Sequence, residues 1–427
     1  MSEGGIVSKL LWMSLFSCIL LPPARLVEGM PSVRLEEVLV VGFFFIYAIL
    51  KGKQFTRLFS PLTFVDLCFA LLLLSVSLST YYGWLVLNQT VIIRDYFELV
   101  KIFKYYLFYR LSVFAVIEGF LKPKELYNAL MVFGAVAAIV TLMQFFDLLA
   151  VNSWLSPLYE GGELRGDPFL HRSIGTFGNP NISGYFFAVL LVLGFSKMIV
   201  NSKDYLKSPH ILVILIMAAA FLTTESRTAV VALPVGILAV ALQKEVGMKV
   251  RDCKERLLNL LVVAGLIISL GVVIYVLPLE YLHEIKEAFH ARSMLARYEV
   301  WWDAYDTAVK SPFLGWGPAK DNMPMGIDNE YLLQFRRYGL LGLVLLMTMY
   351  LSLVRIAHML CRRYGSKEST FLSLFMVGTV FVVLVVGLTN SAFNNLRFMP
   401  VFWTIAGSTI GWWKYCLNKE NSGIHGT

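Results

Sequence analysis

The stretch FLSLFMVGTVFVVLVVGL, residues 371–388, is a run of 18 residues without a charged side chain. A helix rises about 1.5 Å per residue, so this run is long enough to cross most of a hydrocarbon core about 30 Å thick. Comparable apolar blocks recur along the chain, whereas a transmembrane β-barrel would alternate over segments of roughly 10 residues. The pattern therefore predicts an all-α polytopic membrane protein.

The composition of the whole chain supports that class. Of the 427 residues, 57% are hydrophobic and 15% are charged, and the mean hydropathy is +0.67. A soluble domain is nearer half apolar and a quarter charged. The two short apolar runs 210–222 and 228–242 could form one hairpin around 223–228. We predict a single membrane domain, 1–427, with twelve spans at 6–22, 35–50, 61–79, 100–118, 126–149, 181–200, 210–222, 228–242, 257–279, 339–360, 371–388 and 398–417.

Lysine and arginine are unevenly divided between the connections. Five alternate short loops, beginning with 51–60, hold sixteen of them, and the short loops of the other set hold seven. Basic residues collect in cytoplasmic loops, so both termini are predicted in the cytoplasm. The net charge of +8 has the same origin, and no nucleic-acid partner is expected. None of the five cysteines forms a CxxC motif or a Cys/His cluster, so neither a metal site nor a cofactor is predicted.

Two connections on the opposite, extracytoplasmic side are long. One covers residues 150–180, and the other covers 280–338 between the ninth and tenth spans. Connections of this length are usually functional. The second carries apolar residues at helical spacing and is predicted to form a partly helical cap. Its aromatic residues could form the core of the cap, form a belt at the membrane interface or stack on a ligand, and the core is favoured for most of Trp301, Trp302, Tyr305 and Trp316.

Charged side chains near the predicted outer surface are candidate binding groups, because an ionisable group at a helix centre in a bilayer costs roughly 2.5–3.5 kcal/mol. Lys101 and Lys104 lie three residues apart and share a helix face, and Arg110 lies deeper in the same span. The lysines could also snorkel to lipid headgroups. Arg227 occupies a very short turn, where it could pair with Glu225 or point into a polar cavity between helices.

Further basic candidates lie in the long connections. His171 and Arg172 precede a Gly/Asn/Pro turn, and the helix that follows would present its N-terminus outward as an anion site. A lone His in such a loop is more often structural. Arg297 lies in the predicted cap, and Arg336 and Arg337 lie where the chain re-enters the membrane. Arginines suit bidentate phosphate binding, so the set indicates a lipid-linked phosphate or pyrophosphate.

The start of the segment DNEYLLQFRRYGLLG, residues 328–342, supplies the candidate acid. Asp328 could act as a general base if its environment raises its pKa, and Glu330 is the second candidate. Asp328 could also cap the helix that follows, and the two roles can coexist.

Four segments together resemble the superfamily of O-antigen ligases and O-antigen polymerases. They occur in the family's order and cover the middle and the C-terminal half of the chain. The resemblance implies a GT-C-like glycosyltransferase that moves a glycan as a block from undecaprenyl pyrophosphate to an acceptor hydroxyl, without a nucleotide sugar or a metal. The segments are GTFGNPN (175–181), ESRTA (225–229), ARYEVWW to SPFLGWGP (296–318) and DNEYLLQFRRYGLLG (328–342).

The resemblance also implies roles for individual residues. Arg227 and Arg297 match family arginines that are expected to hold the pyrophosphate. Ligases usually present a His-Asn pair where this chain has Asp328-Asn329, and the Asp-Asn pair favours the polymerase branch. The remaining candidates for pyrophosphate binding are Lys104, Arg110, Arg336 and Arg337. The candidate contacts to the glycan, whose sugar rings the aromatic residues could stack on, are His171, Arg172, Trp301, Asn329 and Tyr331.

The predicted function is therefore polymerisation of undecaprenyl-pyrophosphate-linked repeat units of O-antigen or a related surface polysaccharide, on the outer side of a bacterial inner membrane. The expected partners are the carrier-linked glycan and membrane lipid, and a chain-length regulator is a further candidate partner. The alternative within the family is ligation of glycan to lipid A-core or another acceptor. A lipid-linked oligosaccharide flippase is the alternative from another class, although its charges should line a path open to both sides, often with repeat symmetry.

Overall fold

The computed structural model describes residues 3–22, 34–155, 172–201, 208–248, 291–321 and 326–422. This part of the chain is helical and contains no β-strand, which confirms the prediction of an all-α protein. The α-helices are α1 (Glu3–Leu20), α2 (Leu35–Lys51), α3 (Phe64–Leu85), α4 (Ile93–Ile117), α5 (Pro123–Phe145), α6 (Val151–Leu155), α7 (Pro180–Val200), α8 (His210–Thr223), α9 (Arg227–Met248), α10 (Ala291–Val309), α11 (Glu330–Tyr364), α12 (Lys367–Val386) and α13 (Phe398–Asn421).

Six of the described helices, α3, α5, α7, α9, α11 and α12, are long and apolar enough to cross a membrane. Each coincides with one of the predicted spans. α1, α2, α4, α8 and α13 also coincide with predicted spans, and α1 and α8 contain shorter apolar helices. The protein is thus an α-helical membrane protein. The predicted span 257–279 lies outside the described residues.

The packing of α13 along α4 shows how closely these helices approach. A Cβ atom on Gly407 would lie 2.3 Å from the backbone oxygen of Tyr109, so only glycine permits this contact. Trp403 lies one turn earlier on α13, and its ring centroid is 4.6 Å from that of Phe69 on α3. Such close packing, rather than a hydrophobic driving force, holds helices together in lipid.

One end of the helix bundle gathers the candidate site, and we call it the site end. Here α3, α8 and α12 end, and α4, α9, α11 and α13 begin. Backbone bonds tie the segments together: the Glu330 amide donates to the Gly387 carbonyl at 2.8 Å, and the Ser173 amide donates to the Thr223 carbonyl at 3.0 Å. The charge distribution of the sequence predicts that this end faces outward.

Helix α11 is interrupted at Gly339, whose backbone has φ 64° and ψ −165°. A Cβ atom there would lie 2.3 Å from the carbonyl of Phe313. The break frees the amide of Leu340 and the carbonyl of Arg337 from the helix, and both bond to the segment 312–317, at 2.8 Å and 2.9 Å. The segment 312–317 is therefore hydrogen-bonded to α11 at the break and holds the first two turns of this helix against the site end.

Helix α10 packs against the first turns of α11 through one face. Ala304 is fully buried there and belongs to a small apolar cluster with Ile327 and Leu333. On the opposite face, Trp302 and Tyr305 are 60% and 45% exposed. The prediction of a core role is therefore wrong for these two aromatic residues, because the apolar cluster between α10 and α11 is formed by Ala304, Ile327 and Leu333 instead.

Candidate functional site

Three of the predicted arginines come together at the site end. Arg227 is the first residue of α9 and lies within electrostatic range of both Arg172 and Arg297. We call Arg172, Arg227 and Arg297 the arginine cluster. The positive end of the α9 dipole lies at the same place and adds to the positive potential. Such a group of like charges is unfavourable by itself and attracts an anion.

Local bonds hold the members of the arginine cluster in position. The Nη2 atom of Arg172 donates to Oδ1 of Asn181 at 3.1 Å, and its Nε atom donates to the carbonyl of Thr224 at 3.2 Å. Arg172 is thereby attached to the turn between α8 and α9. In that turn Glu225 has φ 49°, a left-handed conformation that reverses the chain within a few residues. Glu225 is also the acid whose negative charge reaches Arg227.

Asp328 lies beside the arginine cluster. Its Oδ2 atom is 3.9 Å from Nη2 of Arg297, and the two side chains are 46% and 38% exposed. Partial burial raises the pKa of the Asp328 carboxyl above its usual value, and the positive charge of Arg297 opposes that rise. A raised pKa suits a general base that works near neutral pH.

The cap of α11 is Asn329 rather than Asp328. The Oδ1 atom of Asn329 accepts from the Leu332 amide at 3.0 Å, and its Nδ2 atom donates to the carbonyl of Leu388 at 3.0 Å. The alternative capping role considered for Asp328 is therefore wrong. Asn329 instead places the neighbouring Asp328 carboxylate, because its side chain is fixed at both ends.

Glu330 is buried and bonded on both carboxylate oxygens. Its Oε1 atom accepts from Nε2 of Gln334 at 2.7 Å, and its Oε2 atom accepts from the Phe393 amide at 2.9 Å. Tyr331 donates its hydroxyl to the carbonyl of Leu384 at 2.5 Å. Both side chains fasten the start of α11 to the end of α12 and the turn after it.

The turn 387–394 connects the two halves of the candidate site. The hydroxyls of Thr389 and Thr228 are hydrogen-bonded, and Nδ2 of Asn390 donates to Thr228 Oγ1 at 3.3 Å. The same turn accepts the bond from Asn329. It therefore sets the start of α9, which carries Arg227, relative to the start of α11, which follows Asp328.

A second charged group lies on the other side of Asp328, and we call it the Glu98 group. The buried Glu98 carboxylate is ion-paired with Lys101, lies 2.8 Å from Nζ of Lys320 and lies 3.4 Å from Nη1 of Arg337. The Tyr338 hydroxyl donates to Oε2 of Glu98 at 3.2 Å. Glu98 and Lys320 were absent from the predicted site, since they lie far apart in sequence and neither belongs to a motif.

A cavity of about 480 Å³ opens between the Glu98 group and Asp328. This volume lies within the usual range for ligand sites. Its lining includes charged side chains, polar side chains and an apolar wall. The lining residues are Arg94, Phe97, Glu98, Lys101, Lys320, Gly326, Ile327, Asp328, Leu333, Arg337, Ser391, Asn394 and Leu396.

The structure does not bring Arg110 to the other candidates. Arg110 lies twelve residues after Glu98 on α4, about 18 Å along the helix axis. It is fully buried, donates to the carbonyl of Leu58 at 2.6 and 2.9 Å, and lies 3.4 Å from Asp66. These contacts make it a structural residue at the end of the bundle opposite the site end.

The remaining predicted residues have varied positions. Lys104 is buried, lies 2.7 Å from Oε1 of Glu37 and donates to the carbonyl of Leu396 at 3.2 Å, so its ammonium group is already engaged within the protein. Arg336 is buried within electrostatic range of Asp303, and its Nε and Nη1 atoms have no hydrogen-bond partner among the described residues. Trp301 is partly buried. His171 lies outside the described residues.

Part of this candidate site lies within a segment that matches a known family. Residues 212–347 match the family model described as O-antigen ligase, whose members are glycosyl-transferring enzymes. The match confirms the resemblance to the superfamily of O-antigen ligases and polymerases. Arg227, Arg297 and Asp328 all lie within the matched residues. No curated protein matches the chain significantly.

Proposed function

We propose that the protein is a polymerase that joins undecaprenyl-pyrophosphate-linked oligosaccharide repeat units of O-antigen or a related surface polysaccharide. The observation that carries the proposal is the placement of Asp328, 3.9 Å from Arg297, beside an arginine cluster that includes Arg227. This arrangement offers an acid–base group and an anion site next to each other, and Arg227, Arg297 and Asp328 lie within the residues that match the family model.

The arginine cluster suits the leaving group of the proposed reaction. As the bond between the anomeric carbon and the pyrophosphate oxygen breaks, negative charge develops on the pyrophosphate. Preorganised cations stabilise such charge in a transition state. Arg227 and Arg297 can each form a two-pronged contact with phosphate oxygens, and Arg172 adds positive potential. Undecaprenyl pyrophosphate leaves with the electron pair of the broken bond.

Asp328 suits activation of the acceptor. The acceptor hydroxyl forms the new glycosidic bond through its oxygen, and its proton passes to the Asp328 carboxylate. Glu330 is the less suitable base, because both of its oxygens already accept hydrogen bonds within the protein. Glu330 and Asn329 instead hold the segment that carries Asp328. The proposed transfer uses no nucleotide sugar and no metal.

The finer architecture belongs to the same proposal. A GT-C-like membrane domain with about twelve spans would carry 150–180 and 280–338 as extracytoplasmic loops, the second forming a cap. The protein would lie in a bacterial inner membrane with both termini in the cytoplasm. The site end would then face outward, where carrier-linked repeat units are joined and a chain-length regulator could bind.

Ligation is the second candidate, because the matching family model carries the description O-antigen ligase. In that reaction the same arginine cluster would hold the donor pyrophosphate, and the acceptor would be lipid A-core or another molecule. Asp328-Asn329 favours the polymerase, since ligases of the superfamily usually present His-Asn. The two activities differ in which glycan accumulates when the protein is absent.

Glycan profiling of a deletion strain separates the candidates. Polymerase activity predicts loss of the ladder of long glycans with a single repeat unit retained. Ligase activity predicts loss of all surface glycan and accumulation of lipid-linked polymer. A flippase predicts accumulation of single repeat units on the cytoplasmic side.

The same strain tests the arginine cluster. Complementation with Arg227→Ala or Arg297→Ala should fail to restore the ladder. Lys310→Ala should restore it, because Lys310, just after α10, is exposed and its ion pair in the described part of the chain is with Asp306 alone. A ladder of normal length and amount with both arginine variants would contradict the pyrophosphate assignment.

A further inference from the structure

Three cations, Lys101, Lys320 and Arg337, face the Glu98 carboxylate, and the buried Glu330 carboxylate lies within electrostatic range of only Lys101 and Arg337 among them. The cavity beside it is lined by four basic side chains and two acidic ones, among the residues that the structure describes. Lys101 is 7% exposed and Glu98 is 4% exposed, so part of this charge is held away from water. Unbalanced charge in such a place is costly and is usually retained for binding.

The lining of the cavity also suits a sugar. Phe97 presents an aromatic ring, and Ser391 and Asn394 present polar groups that can bond to hydroxyls. The Oδ1 atom of Asn394 accepts from Lys101, while its Nδ2 atom is buried without a hydrogen-bond partner in the described part of the chain. A donor of this kind at the wall of a cavity is available to an acceptor group on a ligand.

Asp328 connects the cavity with the arginine cluster. Its carboxylate lies 3.9 Å from Arg297 on one side, and Asp328 lines the cavity with Lys320 on the other. A base between two sites acts on a hydroxyl in one of them while the leaving group occupies the other. If the arginine cluster holds the pyrophosphate of the donor, the cavity is the place for the acceptor sugar.

From these observations we infer that the cavity is the acceptor subsite and that it selects a glycan with an acidic group, a carboxylate or a phosphate, close to the acceptor hydroxyl. Lys320 and Arg337 are the specificity-determining residues, with Arg94 at the rim. This inference rests on the proposed function, because it assigns the two sides of Asp328 to the two substrates of one transfer reaction. A neutral acceptor would leave the excess positive charge of the cavity unbalanced.

Lys320 offers the cleanest variant. Its side chain is 25% exposed, and Glu98 keeps Lys101, Arg337 and Tyr338 as partners when Lys320 is replaced. Lys320→Gln should therefore fold. Lys310→Gln is the matched control, because Lys310 lies outside the cavity and its side chain is 60% exposed.

Equilibrium binding to the purified protein in lipid nanodiscs tests the inference without requiring turnover. The probes are a hyaluronan tetrasaccharide, its carboxyl-reduced neutral counterpart and the neutral tetrasaccharide carrying a single phosphate. We expect at least one acidic probe to bind about tenfold or more tightly than the neutral one, with a preference that weakens as salt rises. Lys320→Gln should remove most of that preference, and Lys310→Gln should retain it.

Equal binding of all three probes, or a preference that Lys320→Gln leaves unchanged, would overturn the inference. A separate transfer assay with the natural carrier-linked glycan keeps the two proposals apart. Transfer without an acidic preference would contradict the acceptor subsite alone, whereas Lys320-dependent binding of an acidic probe without any transfer would contradict the proposed reaction. A change in donor KM but not in acceptor KM with Lys320→Gln would also contradict the subsite.

Discussion

The two ends of the bundle use arginine in opposite ways. Arg110 is fully buried, and its guanidinium is held by the carbonyls of Leu58 and Pro61 and by Asp66. At the site end, Arg227 lies within electrostatic range of both Arg172 and Arg297, so like charges meet at the start of a helix. An arginine enclosed by carbonyls stabilises the fold, whereas a cluster of arginines raises its own energy and is relieved by an anion.

The largest effect on stability is expected for Arg110, at the end of the bundle opposite the site end. Arg110→Met should lower the free energy of unfolding by about 3–5 kcal/mol, because it leaves buried carbonyls and Asp66 without their cation. Thermal unfolding in detergent measures the loss. Arg94→Met is the matched control on the same helix, since Arg94 is exposed, and it should change stability little. Equal stability of the two variants would contradict the structural role of Arg110.

The next effect concerns Arg227 and should appear in activity. Arg227→Gln should lower kcat/KM for glycan transfer about 100-fold, the loss typical of removing one charge-stabilising group from a transition state. Because Arg227 is exposed, the unfolding temperature should remain within a few degrees of wild type. Arg227→Lys should fall between the two, since lysine keeps the charge but not the fork of donors. Full activity of Arg227→Gln would contradict a role for Arg227 in stabilising the leaving group.

A smaller effect separates the adjacent residues Asp328 and Asn329. Asn329→Ala should lower stability by about 1 kcal/mol, because it removes the cap of α11 and the bond to Leu388. Asp328→Ala should leave stability nearly unchanged and remove activity. The reverse order of the two stabilities, measured by chemical unfolding, would show that Asp328 and not Asn329 is the structural residue.

The smallest effect is a shift in pH dependence. Activity that needs the Asp328 carboxylate falls as the pH drops through its pKa, which burial has raised. Arg297 lowers that pKa, so Arg297→Gln should raise it further and move the acid limb of residual activity to higher pH. The shift should be less than about one pH unit, because the pair is partly exposed. Arg297→Lys should keep the wild-type limb, and a shift to lower pH would contradict the sign.

The sequence predicted the helices well because apolar run length is a local signal. The predicted span 181–200 matches α7 within one residue, and the predicted start at 339 falls on the break at Gly339 rather than on the first residue of α11. The helix begins earlier because Asn329 caps it and because the segment 312–317, hydrogen-bonded at the break, supports its first turns. That support comes from residues distant in sequence, so no local pattern could reveal it.

The candidate site was only partly predictable for the same reason. Arg227, Arg297 and Asp328 belong to recognisable segments, and the structure brings them together. Glu98 and Lys320 lie 222 residues apart by number and meet only in the folded protein. Arg110 was predicted as a binding residue because it is a charged residue within an apolar span. Its partners include backbone carbonyls, which no sequence pattern can identify.

Binding of undecaprenyl pyrophosphate tests the central claim most directly. The affinity of the purified protein for this carrier, without a glycan, is compared among wild type, Arg227→Gln, Arg297→Gln and Asp328→Asn. We expect each arginine variant to bind at least about tenfold more weakly, and Asp328→Asn to bind as tightly as wild type or more tightly, because it removes a neighbouring negative charge. Wild-type affinity in both arginine variants would contradict the assignment of the arginine cluster to the pyrophosphate.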